Sequence, residues 1–127
     1  MNVTGVDFIT LPTRDFDRAS EFYSWLLEAE PTGRFDPPGL LFFQAGGTRL
    51  LLDRGAPSAL VYLRVDDVRR TVHRCVERGV VVESEPHMIF QHQDDALGPA
   101  GTDEWMAFVT DSEGNTVGLV SHTRSES

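Results

Sequence analysis

Two histidines five residues apart, His87 and His92, are the side chains of this sequence best suited to proton chemistry near neutral pH. Both lie in Pro86-His87-Met88-Ile89-Phe90-Gln91-His92. Read as a strand, a spacing of five sends the rings to opposite faces, about 16 Å apart along the backbone. They then cannot share one metal ion unless a bulge or turn intervenes. Asp94, Asp95, Asp103 and Glu104 follow closely, and with His92 they supply the donor types of a non-standard metal site or, more commonly, a solvated acidic loop. Tyr62, Arg64 and Arg49 form a second group. Two guanidinium groups flanking a phenol can fix an anionic or polar ligand, unless Arg64 pairs with Asp66 and Arg49 with Asp53 at the surface.

Other reactive types are excluded or unremarkable. All eleven cationic side chains are Arg, so a lysine Schiff base and a lysine general base are both ruled out. The single Cys75 falls on the apolar side of a helical pattern and reads as a small buried hydrophobe. His73 reads as an exposed helix residue and His122 as part of a frayed end. Neither a Gly-rich phosphate loop, a Gly-x-Ser-x-Gly elbow nor a His-Glu-x-x-His helix occurs.

The elements that must position these residues come in two similar sets. An apolar strand at Val6–Leu11 precedes a helix that opens at Asp15 and ends near 28–30, before Pro31. A weak strand at 32–35, a turn at 36–39 and a hairpin of 40–44 with 48–53 follow. Residues 54–58 form a linker. Then the order repeats: a strand at 59–65, a helix from Asp67 to Arg78 closed by Gly79, strands at 80–84 and 88–91, a loop at 93–102, and a hairpin of 105–110 with 116–121 turning at Glu113-Gly114-Asn115. The tail from Arg124 reads as frayed.

Strand parity assigns faces. Ile9 and Leu11, Leu50 and Leu52, and Val61, Leu63 and Val65 turn toward the helices. Their alternates are mixed: Phe8 and Thr10, then Arg49, Leu51 and Asp53, then Leu60, Tyr62 and Arg64. A sheet whose second face is mixed suggests the wall of a cavity, where Phe90, Trp105 and one of Phe42 and Phe43 add aromatic surface.

Length and composition set outer limits. The 127 residues, 40% apolar and 24% charged, fit one globular domain, divided into modules at about 3–54 and 59–122. A net charge of -9 with scattered arginines argues against nucleic acid as a partner. The start Met1-Asn2-Val3-Thr4-Gly5 has no charged and apolar export pattern, and no apolar run reaches the ~20 residues of a membrane span, so the expectation is a cytoplasmic protein.

The twofold strand–helix–three-strand order, with Trp105 to Asn115 as its closing stretch, resembles the vicinal oxygen chelate superfamily of glyoxalases, bleomycin resistance proteins and extradiol dioxygenases. The resemblance spans Val6 to Ser121. It implies an α+β fold in which two βαβββ modules form a curled mixed sheet around a cavity, commonly in a homodimer. It places the metal ligands of the metal-dependent members at Phe8, Leu51, Leu60 and Gly118. None of these ligates, and their neighbours Asp7, Leu50, Val61 and Leu119 supply only one oxygen. The resemblance also implies that a histidine following a proline, as His87 does, sits at the cavity.

The expectation is therefore a protein without metal or other cofactor that binds a small apolar or aromatic molecule between its modules. Its ligand-binding residues are Phe8, Arg49, Leu51, Leu60, Tyr62, Arg64, Phe90, His92, Trp105 and Gly118, with His87 as the catalytic candidate. The alternative is a metal-dependent lyase, epimerase or dioxygenase whose ligands have moved to His87, His92 and the acidic loop.

Overall fold

A computed structural model describes Thr4, residues 7–57 and residues 60–125 of the chain. Val6, Ser58 and Ala59, which the sequence pattern assigns to strands and linker, lie outside the described residues. The chain divides into two compact units, one built on the first 59 residues together with 112–115 and the other on the remainder.

In the first unit the elements are β1 (Phe8–Pro12), α1 (Phe16–Leu27), β2 (Gly33–Phe35), β3 (Leu40–Ala45) and β4 (Thr48–Asp53). The four strands form one mixed sheet in the order β1-β4-β3-β2, with β1 parallel to β4 and the other pairs antiparallel. A parallel pair needs a long crossover, and α1 begins it. The Asp15 carboxylate caps that helix by accepting from the Arg18 N–H at 3.0 Å, and Glu28 ends it in the left-handed region at φ 52°. Leu11, Leu41, Phe43, Leu50 and Leu52 turn to the helix side and are buried with Phe16, Ala19 and Tyr23. Tyr23 meets Phe43 ring to ring at 6.1 Å.

Residues 112–115 complete this unit through Glu113. Its side chain is only 3% exposed. The carboxylate accepts from the backbone N–H groups of Asp15 at 3.0 Å and Arg14 at 3.3 Å, from Arg18 Nε at 2.9 Å and from the Ser112 hydroxyl at 2.9 Å. It therefore satisfies backbone donors where α1 begins and adds negative charge there. Burial alone pushes its pKa up, but the hydrogen bonds from Arg18, Asp15, Ser112 and Arg14 outweigh that and hold it below the ordinary carboxylate value.

The second unit repeats the plan with β5 (Val61–Arg64), α2 (Val68–Glu77), β6 (Val82–His92), β7 (Thr102–Thr110) and β8 (Thr116–Arg124). Its sheet runs β5-β8-β7-β6, again with the first pair parallel. Asp67 caps α2 by accepting from the Arg70 N–H at 3.2 Å, and Gly79 follows the helix at φ 82°. Val68, Val72 and Cys75 of the helix are buried, as are Val61, Ala107, Val109, Val117 and Leu119 of the sheet. Ser121 is buried with them and accepts from the Val68 N–H at 3.3 Å. Burial raises the Cys75 thiol pKa, against the opposing pull of Arg74, which leaves an unreactive thiol.

Three boundaries depart from the sequence pattern. The two short strands expected at 80–84 and 88–91 are one eleven-residue strand, β6, because bulges absorb the irregular stretch around Pro86. Strand β7 starts three residues early, at Thr102, and β8 continues to Arg124. His122 is therefore a strand residue and not part of a frayed end. Ser125 is also held, donating its hydroxyl to Asp103 Oδ1 at 2.7 Å.

Replacing Glu113 by Ala is expected to cost about 1–2 kcal/mol in urea unfolding, since two backbone N–H groups and the Arg18 guanidinium lose a buried charged acceptor. Because the folded pKa is lowered, the contribution is present above the unfolded carboxylate range near ~4.3 and is lost as pH falls through the folded value. Stability of the Ala variant should accordingly fall less on acidification than that of the parent chain. Identical acid profiles would contradict this role.

Candidate functional site

The second sheet sorts its side chains into two faces by register. Tyr62 pairs with Gly118 and Arg64 with Val120 across β5 and β8; Phe108, Met106 and Glu104 of β7 pair with Gly118, Val120 and His122. Side chains directly opposite one another share a face. Tyr62, Arg64, Phe108, Met106, Glu104 and His122 therefore stand together on the face away from α2.

Strand β6 joins that face through a bulge. Met88 pairs with Trp105 and Phe90 with Glu104, so Ile89 is the extra residue. His87 pairs with Met106 and His92 with Thr102, both on the same parity as Glu104. The two histidines thus share one face, against the expectation from a regular strand. They remain apart. His87 is exposed and its Nδ1 lies 2.8 Å from the Glu85 carbonyl. His92 is only 2% exposed.

At the far end of this face three donors converge. The Nε2–H of His92 donates to Glu104 Oε1 at 2.9 Å, and His122 Nε2 lies 3.9 Å from the same oxygen. The imidazoles of His92 and His122 have centroids 5.3 Å apart, and Phe90 meets His92 edge-on at 4.8 Å. One ligating atom from each of His92, Glu104 and His122 lies within 4.8 Å of the others. The His122 side chain is 9% exposed, its Nδ1 is buried without a partner, and 3.9 Å is too long for a hydrogen bond from Nε2. Burial pushes the His122 pKa down, Arg64 and His92 add to that, and the Glu104 carboxylate opposes it. Above the rings lies Gly98, where a Cβ would stand 2.9 Å from His92 Nε2 and 3.1 Å from His122 Cε1.

The acidic loop does not join this cluster. Asp94 accepts from the Ala96 N–H at 3.0 Å and Asp95 from the Ala100 N–H at 2.9 Å, while Asp103 is held by Ser125. Only Glu104 of the four carboxylates turns inward. His122 is the member that sequence reading missed. Its signal was the parity of 118, 120 and 122, readable only once β8 is known to run to Arg124.

The remaining predicted residues divide. Tyr62 is 50% exposed, with its ring edge-on to Phe108 at 5.9 Å, and Arg64 is exposed beside it. Phe90 and Leu60 are exposed. Trp105 is a correction: its register with Ser121 puts it on the α2 side, where the Arg69 guanidinium lies 4.1 Å over its ring, so it cannot line the other face. In the first unit, Phe8 and Arg49 pair across β1 and β4, and Phe42 pairs with Leu51. Arg49 lies over the Phe42 ring at 6.0 Å, and Leu51 is 8% exposed. Among the described residues neither Arg64–Asp66 nor Arg49–Asp53 forms an ion pair.

Two βαβββ units of this topology and a closing Asp-Ser-Glu-Gly-Asn turn agree with the sequence profile of the glyoxalase/bleomycin resistance protein/dioxygenase superfamily, which matches residues 5–119. The chain belongs to that superfamily. Solved structures bear out the fold. A superfamily member from Sphaerobacter thermophilus is 22% identical, covering 94% of this chain and 98% of its own at a TM-score of 0.70. A lactoylglutathione lyase from Agrobacterium tumefaciens is 19% identical over 95% and 96%, at 0.72. An integron cassette protein from Vibrio cholerae is 17% identical over 95% and 97%, also at 0.72. No curated protein sequence matches significantly. None of the helices described is long and apolar enough to cross a membrane.

The resemblance puts metal ligands at four positions of this chain. Phe8, Leu51 and Leu60 carry no donor atom, and Gly118 has a physical reason to remain glycine. A Cβ at 118 would stand 2.6 Å from Tyr62 Cδ1 and 3.0 Å from Cε1, so the phenol ring occupies the space of any side chain there. Gly118→Ala should therefore destabilise the protein by about 1–3 kcal/mol. Tyr62→Ala in the same chain should recover a large part of that loss, read as a coupling energy in a double-mutant cycle. Additive effects would show that the ring does not exclude the side chain.

Proposed function

We propose that this protein binds a small planar molecule, largely apolar and carrying an anionic or polar oxygen, against the open face of its second sheet. The role is that of the bleomycin-resistance branch of the superfamily: sequestering a drug-like or natural compound without the usual metal centre. The observation that carries this reading is the Tyr62 ring seated over Gly118. It replaces a ligating position by an aromatic surface, with Arg64 next to it on the same strand. A half-exposed phenol with Phe108 at its edge offers a stacking platform, and a free guanidinium can pair with a carboxylate or phenolate. On the family resemblance the protein is a cytoplasmic homodimer.

The test is a thermal-shift screen of aromatic and heteroaromatic acids, followed by calorimetric titration of those that stabilise the chain. Tyr62→Ala and Arg64→Ala should each weaken binding at least tenfold, or about 1.4 kcal/mol, while His73→Ala leaves it unchanged. Binding that survives both variants, or a screen with no stabilising compound, would remove the proposal.

A catalytic role for His87 is a second reading, and one contact favours it. A carbonyl oxygen only accepts, so the 2.8 Å contact with Glu85 puts a proton on Nδ1, and in the neutral ring Nε2 is then the nitrogen that can accept one. If the bound compound is turned over, His87→Ala should abolish turnover and leave affinity nearly intact. Loss of both together would make His87 a binding residue.

A further inference from the structure

We propose that His92, Glu104 and His122 form a binding site for a divalent transition-metal ion of the zinc or iron(II) class, through two imidazole nitrogens and one carboxylate oxygen. The site lies at the opposite end of the sheet face from Gly118, on β6, β7 and β8, and shares no residue with the four positions that ligate metal in other superfamily members. It stands independently of the small-molecule reading, since neither Tyr62 nor Arg64 belongs to it.

Four observations support it. The ligating atoms already lie within 4.8 Å of one another, whereas metal–ligand bonds of about 2.0–2.1 Å place tetrahedral donors ~3.3 Å apart. The hydrogen bond between His92 Nε2 and Glu104 Oε1 at 2.9 Å shows an imidazole nitrogen and a carboxylate oxygen already facing each other across a proton that a bound cation would displace. The His122 side chain is nine-tenths buried, and its Nδ1 is buried without a hydrogen-bond partner. A buried ring so placed is costly unless something absent from the polypeptide satisfies it. Finally, Gly98 keeps clear the space beside His92 Nε2 that any Cβ would fill.

The chemistry of the donors selects the ion. Imidazole nitrogen with one carboxylate suits zinc, iron(II), cobalt(II) or nickel(II), while magnesium and calcium prefer all-oxygen sites. Three protein ligands leave at least one coordination position for water or an oxygen of a small molecule.

The experiment titrates zinc(II) and cobalt(II) into the untagged, chelator-treated protein, read by calorimetry and by the visible absorption of cobalt. The expected result is one ion per chain with a cobalt spectrum of mixed nitrogen and oxygen ligation. Affinity should fall at least tenfold in Glu104→Gln and in His122→Ala, and remain unchanged in His87→Ala and His73→Ala. His92→Ala opens a hole in a buried position, so the test rests on the other two variants, with thermal unfolding in chelator confirming that they fold. A metal-induced rise in melting temperature should appear in the parent chain and vanish in both. No saturable binding, binding equal in all variants, or calcium binding as tight as zinc would each overturn the assignment.

Discussion

One extra residue in β6 decides which side chains of the second sheet can meet. A strand alternates faces with a period of two, so a single inserted residue exchanges the faces of everything on one side of it. With Ile89 as the bulged residue, His87 and His92 both fall on the parity of Glu104 and Met106. Without it, His92 would pair out of phase with Glu104 and its ring would turn to the α2 side. The hydrogen bond between His92 and Glu104, the edge contact of Phe90 and the closure by Gly98 all depend on this one irregularity.

The same face shows two opposite ways of treating a position. At Gly118 there is no side chain and an aromatic ring lies over the backbone, which turns that end toward apolar contact. At His122 a polar ring is largely buried and its Nδ1 has no hydrogen-bond partner. Burying a polar group without a partner costs on the order of 1–3 kcal/mol. A fold tolerates that where surrounding packing leaves no other rotamer or where a ligand repays it. The two further donors beside it, His92 and Glu104, argue for the second.

The two units share a topology and differ in what their mixed faces carry. In the first, Thr10, Phe42 and Leu51 dominate, with Phe8 and Arg49 paired across the strands, and no group of three metal donors occurs there among the described residues. Its polar investment is instead at the start of α1, where Glu113 collects two backbone N–H groups and a guanidinium. In the second, the mixed face runs from the phenol of Tyr62 to the imidazole of His122. Duplication thus supplies two equivalent frames, and side-chain choice on one of them concentrates the chemistry.

Much of this was legible in the amino-acid order. Caps at Asp15 and Asp67 and the glycine after α2 are local signals, set by which backbone groups a helix end leaves unpaired, so they read directly from sequence. The parity of apolar residues in β1, β4 and β5 did the same for the buried faces. The absence of donors at Phe8, Leu51, Leu60 and Gly118 needed no coordinates either. What only the tertiary structure decided was non-local: the bulge at Ile89, the reach of β8 to Arg124, and hence the meeting of His92, Glu104 and His122. Cross-strand hydrogen bonding determines where a strand ends and where it slips. That pairing is a property of the partner strand, which no stretch of sequence carries by itself.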